Sequence, residues 1–599
     1  MCAQNQVGQQ INKMRYSFRI ITFAFIFFTL TIFCDCKASE IFNYNMHQQV
    51  LRKLSLDHGD LKNYKKIFSH LKKQDFAKVD ELAAKIENPL LIGTINALKY
   101  LDKKYSSQPR ELKLWLAQNQ DNPFFPRIQR LYERKSGALA LADSDDTWLL
   151  SSTAISAKYL KRLNKQDKIF LSKNAKNFRN YIRKGKTLAA RKILENAQFK
   201  KLAPQTYWDS LAATLALKYF VDNYDKQALD WGERASKRHN SGMATWIAGL
   251  ASWRLKKIKT AAGYFSRLAS SSNSDKWLVA AGAYWSARAY NQIGNTLKAQ
   301  EMYKLAARYK YTFYGILAAY QIGQTFDFSF NQNLYITDFS SSSHIDEIIQ
   351  SPALRRAAVL MELKQNDLVS REITHAYSSF TPVQKEAAIL MAHQKGLHSL
   401  VIALSRQPDF DEILSYRYEK EIYPLPDWSQ QDNWQIDKAL LLALIRQESA
   451  FKQDASSRTG AKGLMQLMPT TASYISGDKT LKRNKDKLYN PDINLRLGQK
   501  YVTYLLTKPF IEGNLFFMLT AYNAGPGNLV KWQKNSRFQN DPLLYIEVIP
   551  SAETRIYLER VLANYWIYNI RLNNPNPTLE QVASGKWPVL EQYKQIIFE

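Results

Sequence analysis

The sequence predicts a predominantly all-α chain in three folded parts: an α-superhelical domain over residues 39–365, a helical linker domain over 366–430 and a third domain over 431–599. Three observations carry that prediction. Between Ser39 and about residue 430 strand-type alternation is scarce, and alanine-rich helical periodicity runs between short Gly, Ser, Asn or Pro breaks. A pattern of small and bulky residues returns four times at separations of 38, 34 and 37 residues. The segment Tyr423-Pro424-Leu425-Pro426-Asp427-Trp428 cannot continue a helix, because proline fixes φ and removes a donor, so a boundary falls there.

A length of 599 residues suits three to four domains. The 45% hydrophobic and 23% charged residues argue against wholesale disorder and against a polytopic membrane protein. The formal charge of +30 points to an anionic partner, either nucleic acid, an anionic membrane or an acidic polymer, against a plain solvated surface.

The start of the chain predicts a secretory leader. Lys13, Arg15 and Arg19 precede the apolar run Ile20 to Phe33, whose 14 residues fall short of a bilayer span of about 20. Cleavage after Ala38 fits the small residues at −3 and −1, Cys36 and Ala38, and would leave no stable membrane span. Cys2, Cys34 and Cys36 all lie in this leader, so the mature chain has no cysteine and a net charge near +27. For an exported protein the nucleic-acid reading weakens, and a cell-wall polymer becomes the favoured anionic partner.

In the superhelical domain each repeat places a small residue at i, a bulky apolar one at i+3 and a small one at i+7. The copies are Ala190/Ile193/Ala197, Ala228/Trp231/Ala235, Ala262/Phe265/Ala269 and Ala299/Met302/Ala306. Small residues on one helix face let a neighbour approach closely. Periods of this size belong to stacked helix pairs of the tetratricopeptide kind. Trp246, Trp253, Trp277 and Trp285 fall in the same stretch. They are read as superhelix core in preference to a sugar-binding stripe, since helix-spaced aromatics generally pack inward.

The last 169 residues carry the chemistry. They contain no His and no Cys, which excludes Ser-His-Asp and Cys-His nucleophiles and an ordinary zinc site; no cofactor or metal is expected. Asp437 is placed to cap a helix that is apolar on every side from Ala439 to Ile445 and ends in Arg446-Gln447-Glu448-Ser449. Glu448 shares a face with Leu441, Leu444 and Ile445. Burial there would favour the neutral carboxyl and make it a candidate general acid. Pairing with Arg446 is the competing, structural role.

Four motifs follow in order. Glu448-Ser449-Ala450-Phe451 leads through Ser457 to Gly460-Ala461-Lys462-Gly463-Leu464-Met465-Gln466-Leu467-Met468-Pro469. Asn490-Pro491 comes next, with Asn494 and Gly498. Ala521-Tyr522-Asn523-Ala524-Gly525-Pro526-Gly527 is third, and Ile549-Pro550 with Glu553-Thr554-Arg555 and Tyr557 is fourth. This set resembles the catalytic domain of the soluble lytic murein transglycosylases, a lysozyme-like α (α+β) fold. The hairpin array, with Phe313-Tyr314 before Ala318-Ala319, is similar to that family's superhelical domain. The sequence departs from the family at Lys452-Gln453, where Asn-Pro is common.

The resemblance implies an exported, periplasmic peptidoglycan lytic exotransglycosylase. Glu448 would protonate the bond between N-acetylmuramic acid and N-acetylglucosamine. As the conjugate base it would then take the C6 hydroxyl proton, leaving a 1,6-anhydro end. Ser457, Gln466, Met468, Tyr522, Asn523, Glu553 and Tyr557 are implied to line the glycan groove. The implied partners are peptidoglycan strands and, through the helical array, other cell-wall enzymes, with no nucleic acid. A hydrolytic muramidase and a non-catalytic wall-binding scaffold are the alternatives. Hydrolysis would need a second carboxylate. Asp454, six residues on in a polar loop, is the nearest in sequence and is expected to be a surface residue.

Overall fold

The computed structural model describes residues 56–136, 162–239, 241–330, 341–407, 412–426 and 434–590, with a few isolated positions besides. The expected leader and its cleavage region lie outside the described residues. Among the described residues the regular structure is helical throughout. The β component of the expected lysozyme-like domain is reduced to three isolated bridges, Ser456 with Lys462, Lys462 with Leu467 and Asn514 with Val589. No described helix is long and apolar enough to cross a membrane.

Contacts divide the chain into two compact units. One joins Met1–Asp143 to Ser329–Pro426, and the other joins Ser144–Phe328 to Asp427–Glu599. In the first, helices start where side chains take up free backbone N–H groups. Asp57 accepts from Asp60 N, Asp75 from Lys78 N, and Thr381 with Gln384 closes a capping box. It holds an ionic cluster in which Arg356 and Glu372 are buried while Asp121 is 55% exposed. Arg356 Nε donates to Glu372 Oε2 at 3.0 Å and Nη1 to Asp121 Oδ2 at 2.8 Å, while Thr94 Oγ1 donates to Glu372 Oε1 at 3.3 Å. Removing one partner from such a cluster costs about 3–5 kcal/mol. This unit therefore packs residues 412–426 and the 366–404 helices together with residues 56–136 and 342–362.

The second unit begins with helix pairs: Lys165–Arg183 with Thr187–Glu195, Gln205–Val221 with Asp225–His239, Gly242–Arg254 with Ile258–Ala269, and Lys276–Gln292 with Thr296–Ala307. The repeated small–bulky–small pattern marks the second helix of each pair. Ala228, Trp231 and Ala235 are buried, as are Ala262, Phe265 and Ala269. The first copy breaks at its third position. Asn196 caps a new helix, Ala197–Leu202, by accepting from Phe199 N at 2.9 Å, so Ala197 is exposed. In the fourth, Met302 is half-buried and the neighbouring Tyr303 fills the core.

The tryptophans are packing residues. Trp246 and Trp285 are buried and meet edge to face at 6.1 Å, with Trp253 against Trp285 at 5.3 Å. Trp277 lies under the Arg560 guanidinium at 3.8 Å. The C-terminal helices belong to the same unit because the array covers them. Phe313 stacks on Trp566 at 5.1 Å, and Arg288 pairs with Asp541 at 2.8 Å. The buried Glu547 accepts from Tyr314 Oη at 2.7 Å and Trp246 Nε1 at 3.3 Å.

Candidate active site

The helix Lys438–Glu448 starts at Asp437, whose carboxylate accepts from Leu440 N at 2.8 Å. Ala439 to Ile445 are all buried, and the helix packs against Ala552–Arg571. Glu448 is its last residue. The chain then turns away through Ala450 and Phe451 at φ 48° and 66°. Two consecutive non-glycine residues in the left-handed region carry a strain of about 1–3 kcal/mol each, which the buried Phe451 anchor helps to hold.

Glu448 is half-buried, and Tyr557 Oη donates to its Oε1 at 2.7 Å. Burial pushes the carboxyl from 4.5 up to about 7; the Tyr557 hydrogen bond pulls it down and the nearby Glu553 charge pushes it up. The negative end of its own helix also disfavours ionisation. Arg446 does not serve as its partner: Nη1 donates to Asn564 Oδ1 at 2.9 Å. Asp454 is a surface residue, 69% exposed and 3.9 Å from Lys452 Nζ.

The other motif residues build the frame around this carboxyl. Gln466, itself at φ 46°, donates through Nε2 to Ala455 O and Gly463 O at 3.1 and 2.8 Å. Ser457 Oγ accepts from Ala461 N at 2.9 Å, closing the loop before it. Asn494 is fully buried and spans the gap, accepting from Met465 N at 2.8 Å and donating to Lys462 O and Leu488 O. Glycine is required at 463, where φ is 78° and a Cβ would lie 2.3 Å from Leu488 O, and at 498, where it would meet Met465 Sδ at 2.1 Å. The loop so fixed presents Met465 O to Tyr522 Oη at 2.8 Å and leaves Met468 37% exposed.

Asn523 Oδ1 accepts from Thr554 Oγ1 at 2.7 Å, tying Leu515–Ala524 to Ala552–Arg571. Arg555 Nη1 donates to Ile549 O, bracing the turn before that helix. Glu448, Tyr557, Tyr522 and Glu553 thus interact around one carboxyl: burial and the Glu448 charge hold both phenols well above their ordinary range. The recorded bonds of Ser457, Gln466 and Asn523 go to the frame. Sequence reasoning gave Thr554 no role beyond its place in the fourth motif and missed Tyr501, which packs on Tyr522 at 5.4 Å. A Tyr501/Tyr504 pair three apart on one helix was the available signal for the latter.

The family model for the transglycosylase SLT domain matches residues 428–544, from the approach to the Glu448 helix through the Tyr522 turn. Residues 428–544 are a transglycosylase SLT domain, and the chain is similar to the soluble lytic murein transglycosylases. Over 370 residues it is 25% identical to a soluble lytic murein transglycosylase of Escherichia coli, a match covering 61% of this chain and 51% of that one. The chain thus aligns to about half the length of this curated relative. Two solved structures share the fold: an inactive mutant of lytic transglycosylase Slt from Pseudomonas aeruginosa, and the 70 kDa soluble lytic transglycosylase of E. coli. The first has TM-score 0.59 and 19% identity, covering 86% of this chain and 97% of that one. The second has TM-score 0.59 and 18% identity, covering 88% and 98%.

Proposed function

We propose that this chain is an exported lytic transglycosylase that cuts the N-acetylmuramic acid–N-acetylglucosamine bond of peptidoglycan, with Glu448 as acid and then base. One observation carries the reading: a carboxyl held at about 7, hydrogen-bonded by Tyr557 and placed among the SLT motif residues. A carboxyl with that affinity for its proton is about half protonated at neutrality, and that fraction can give the proton to a glycosidic oxygen. Once ionised it is the base that removes the C6 hydroxyl proton. Ring closure to a 1,6-anhydro end then needs neither water nor a second carboxylate. Tyr557 supplies a hydrogen bond that strengthens as Glu448 ionises. The excess of basic residues suits a polymer whose stem peptides carry carboxylates. The helical array is proposed to guide the strand or receive other cell-wall enzymes.

The hydrolytic muramidase reading has one observation in its favour. The exposed Glu553 is close enough for its charge to raise Glu448, and is the carboxylate a hydrolase would use. Mass spectrometry of a murein digest separates the two: 1,6-anhydro ends are expected, and reducing N-acetylmuramic acid ends would replace this proposal with hydrolysis. Murein binding with no product would leave the scaffold reading.

A further inference from the structure

Three large apolar side chains are exposed among the described residues of 434–590: Met468, Ile556 and Tyr474. The first two lie in the motif segments. Tyr474 does not, and at 69% it is the most exposed of the three. It is nevertheless held. Its hydroxyl lies 3.3 Å from that of Tyr504, and the rings meet edge to face at 5.7 Å. Tyr504 is braced in turn by the Lys508 ammonium 3.8 Å above its face. From Tyr504 the aromatic line runs inward to Tyr501 at 6.4 Å and on to Tyr522 at 5.4 Å. An exposed ring fixed by a second helix is a prepared flat surface, since little rotamer freedom is left to lose on binding.

The helix that carries it, Pro469–Ser476, packs on the short turn Lys479–Lys482, which continues into Lys485–Tyr489. Between Lys479 and Lys487 stand five cations and one acid, Asp486. All five cations are exposed, and none makes an ion pair among the described residues. Lys487 donates to Thr480 Oγ1 at 3.4 Å and lies near the flanking Asp478; the remaining exposed cations outnumber the acids and suit an anionic ligand.

Resting on the reading of this chain as a murein-cleaving enzyme, we propose that Tyr474 and the 479–487 cations form an outer subsite for an anionic glycopeptide strand. A sugar ring of the strand lies on Tyr474, and its stem-peptide carboxylates meet the cations. The aromatic line links this platform to Tyr522, so the subsite acts on a sugar away from the cleaved bond.

Kinetics on polymeric murein and on a short murein tetrasaccharide test this. Tyr474→Ala is expected to raise KM on the polymer about three- to tenfold with kcat unchanged, leave the short substrate unaffected, and be rescued by Tyr474→Phe. The double change Lys482→Ser and Arg483→Ser should raise KM on peptide-bearing murein but not on peptide-stripped glycan, an effect that salt erases. An unchanged polymer KM in Tyr474→Ala, or an equal rise on both substrates, would overturn the proposal. If the parent protein cuts nothing, the functional reading has failed, and cosedimentation with insoluble murein decides this one: retention equal in parent and Tyr474→Ala refutes it.

Discussion

Two glutamates, 99 positions apart, sit in similar electrostatic trouble and end in different roles. Burial raises both carboxyls, Glu448 to about 7 and Glu547 above its ordinary range. Glu547 is sealed at 5% exposure, with a phenol and an indole donating to its two oxygens and Arg555 close by. Glu448 has a single phenol on one oxygen and stands half-open, with the exposed Glu553 near enough for its charge to act on it. A displaced affinity for protons is therefore common to the proposed acid and to a structural group. What separates them is whether the second oxygen is spoken for and whether a substrate can reach it.

The sharpest way to break that contrast is Glu448→Gln. Turnover of murein should fall at least about a thousandfold, with an unchanged circular dichroism spectrum. Retained muropeptide release would move the chemistry elsewhere. Tyr557→Phe comes next. It removes the one bond that pulls Glu448 down, so the alkaline limb of the rate–pH profile should move up while kcat falls about 10- to 100-fold. A profile that stays in place would show that the phenol does not speak to the acid. In the parent, activity should fall as pH rises through about 7, when the acid loses its proton.

Glu547→Ala should do the opposite. It strands the Tyr314 hydroxyl and Trp246 N–H, lowering stability by about 2–4 kcal/mol in urea melts while kcat stays within about threefold. The smallest effect is a stability one at Glu448 itself. Because its folded pKa is raised, the folded state holds a proton that the unfolded chain releases from about pH 4.5, and stability declines between there and about 7. Glu448→Gln should therefore gain on the order of 1–2 kcal/mol at pH 8 and nothing near pH 4. A gain that did not change with pH would mean the carboxyl is not strained by burial.

The legible part of the site was what local periodicity and capping encode. The Asp437 cap, the all-round apolar helix and Glu448 at its end follow from twelve consecutive residues. The second helices of the hairpins were legible through their alanine spacing. The grouping of the C-terminal helices with residues 144–328 was not, because its contacts join positions hundreds of residues apart, such as Trp246 and Glu547. The left-handed turn after Glu448 left no trace either, since Ala450 and Phe451 are not residues that favour it. Tyr557 was legible only through the family resemblance, as a groove-lining residue; its bond to Glu448 Oε1 was not.

The Phe313–Trp566 stack and the Glu547 donors set a condition on shortening this protein. Cut free at residue 427, the C-terminal helices would lose the aromatic face over Trp566, the Arg288 partner of Asp541 and both hydrogen-bond donors to Glu547. A minimal catalytic fragment would therefore need a new lid on that surface: apolar replacements made soluble at Trp566, and a neutral side chain at 547. The helical array serves as the missing wall of the domain that follows it, and the two would have to be inherited together.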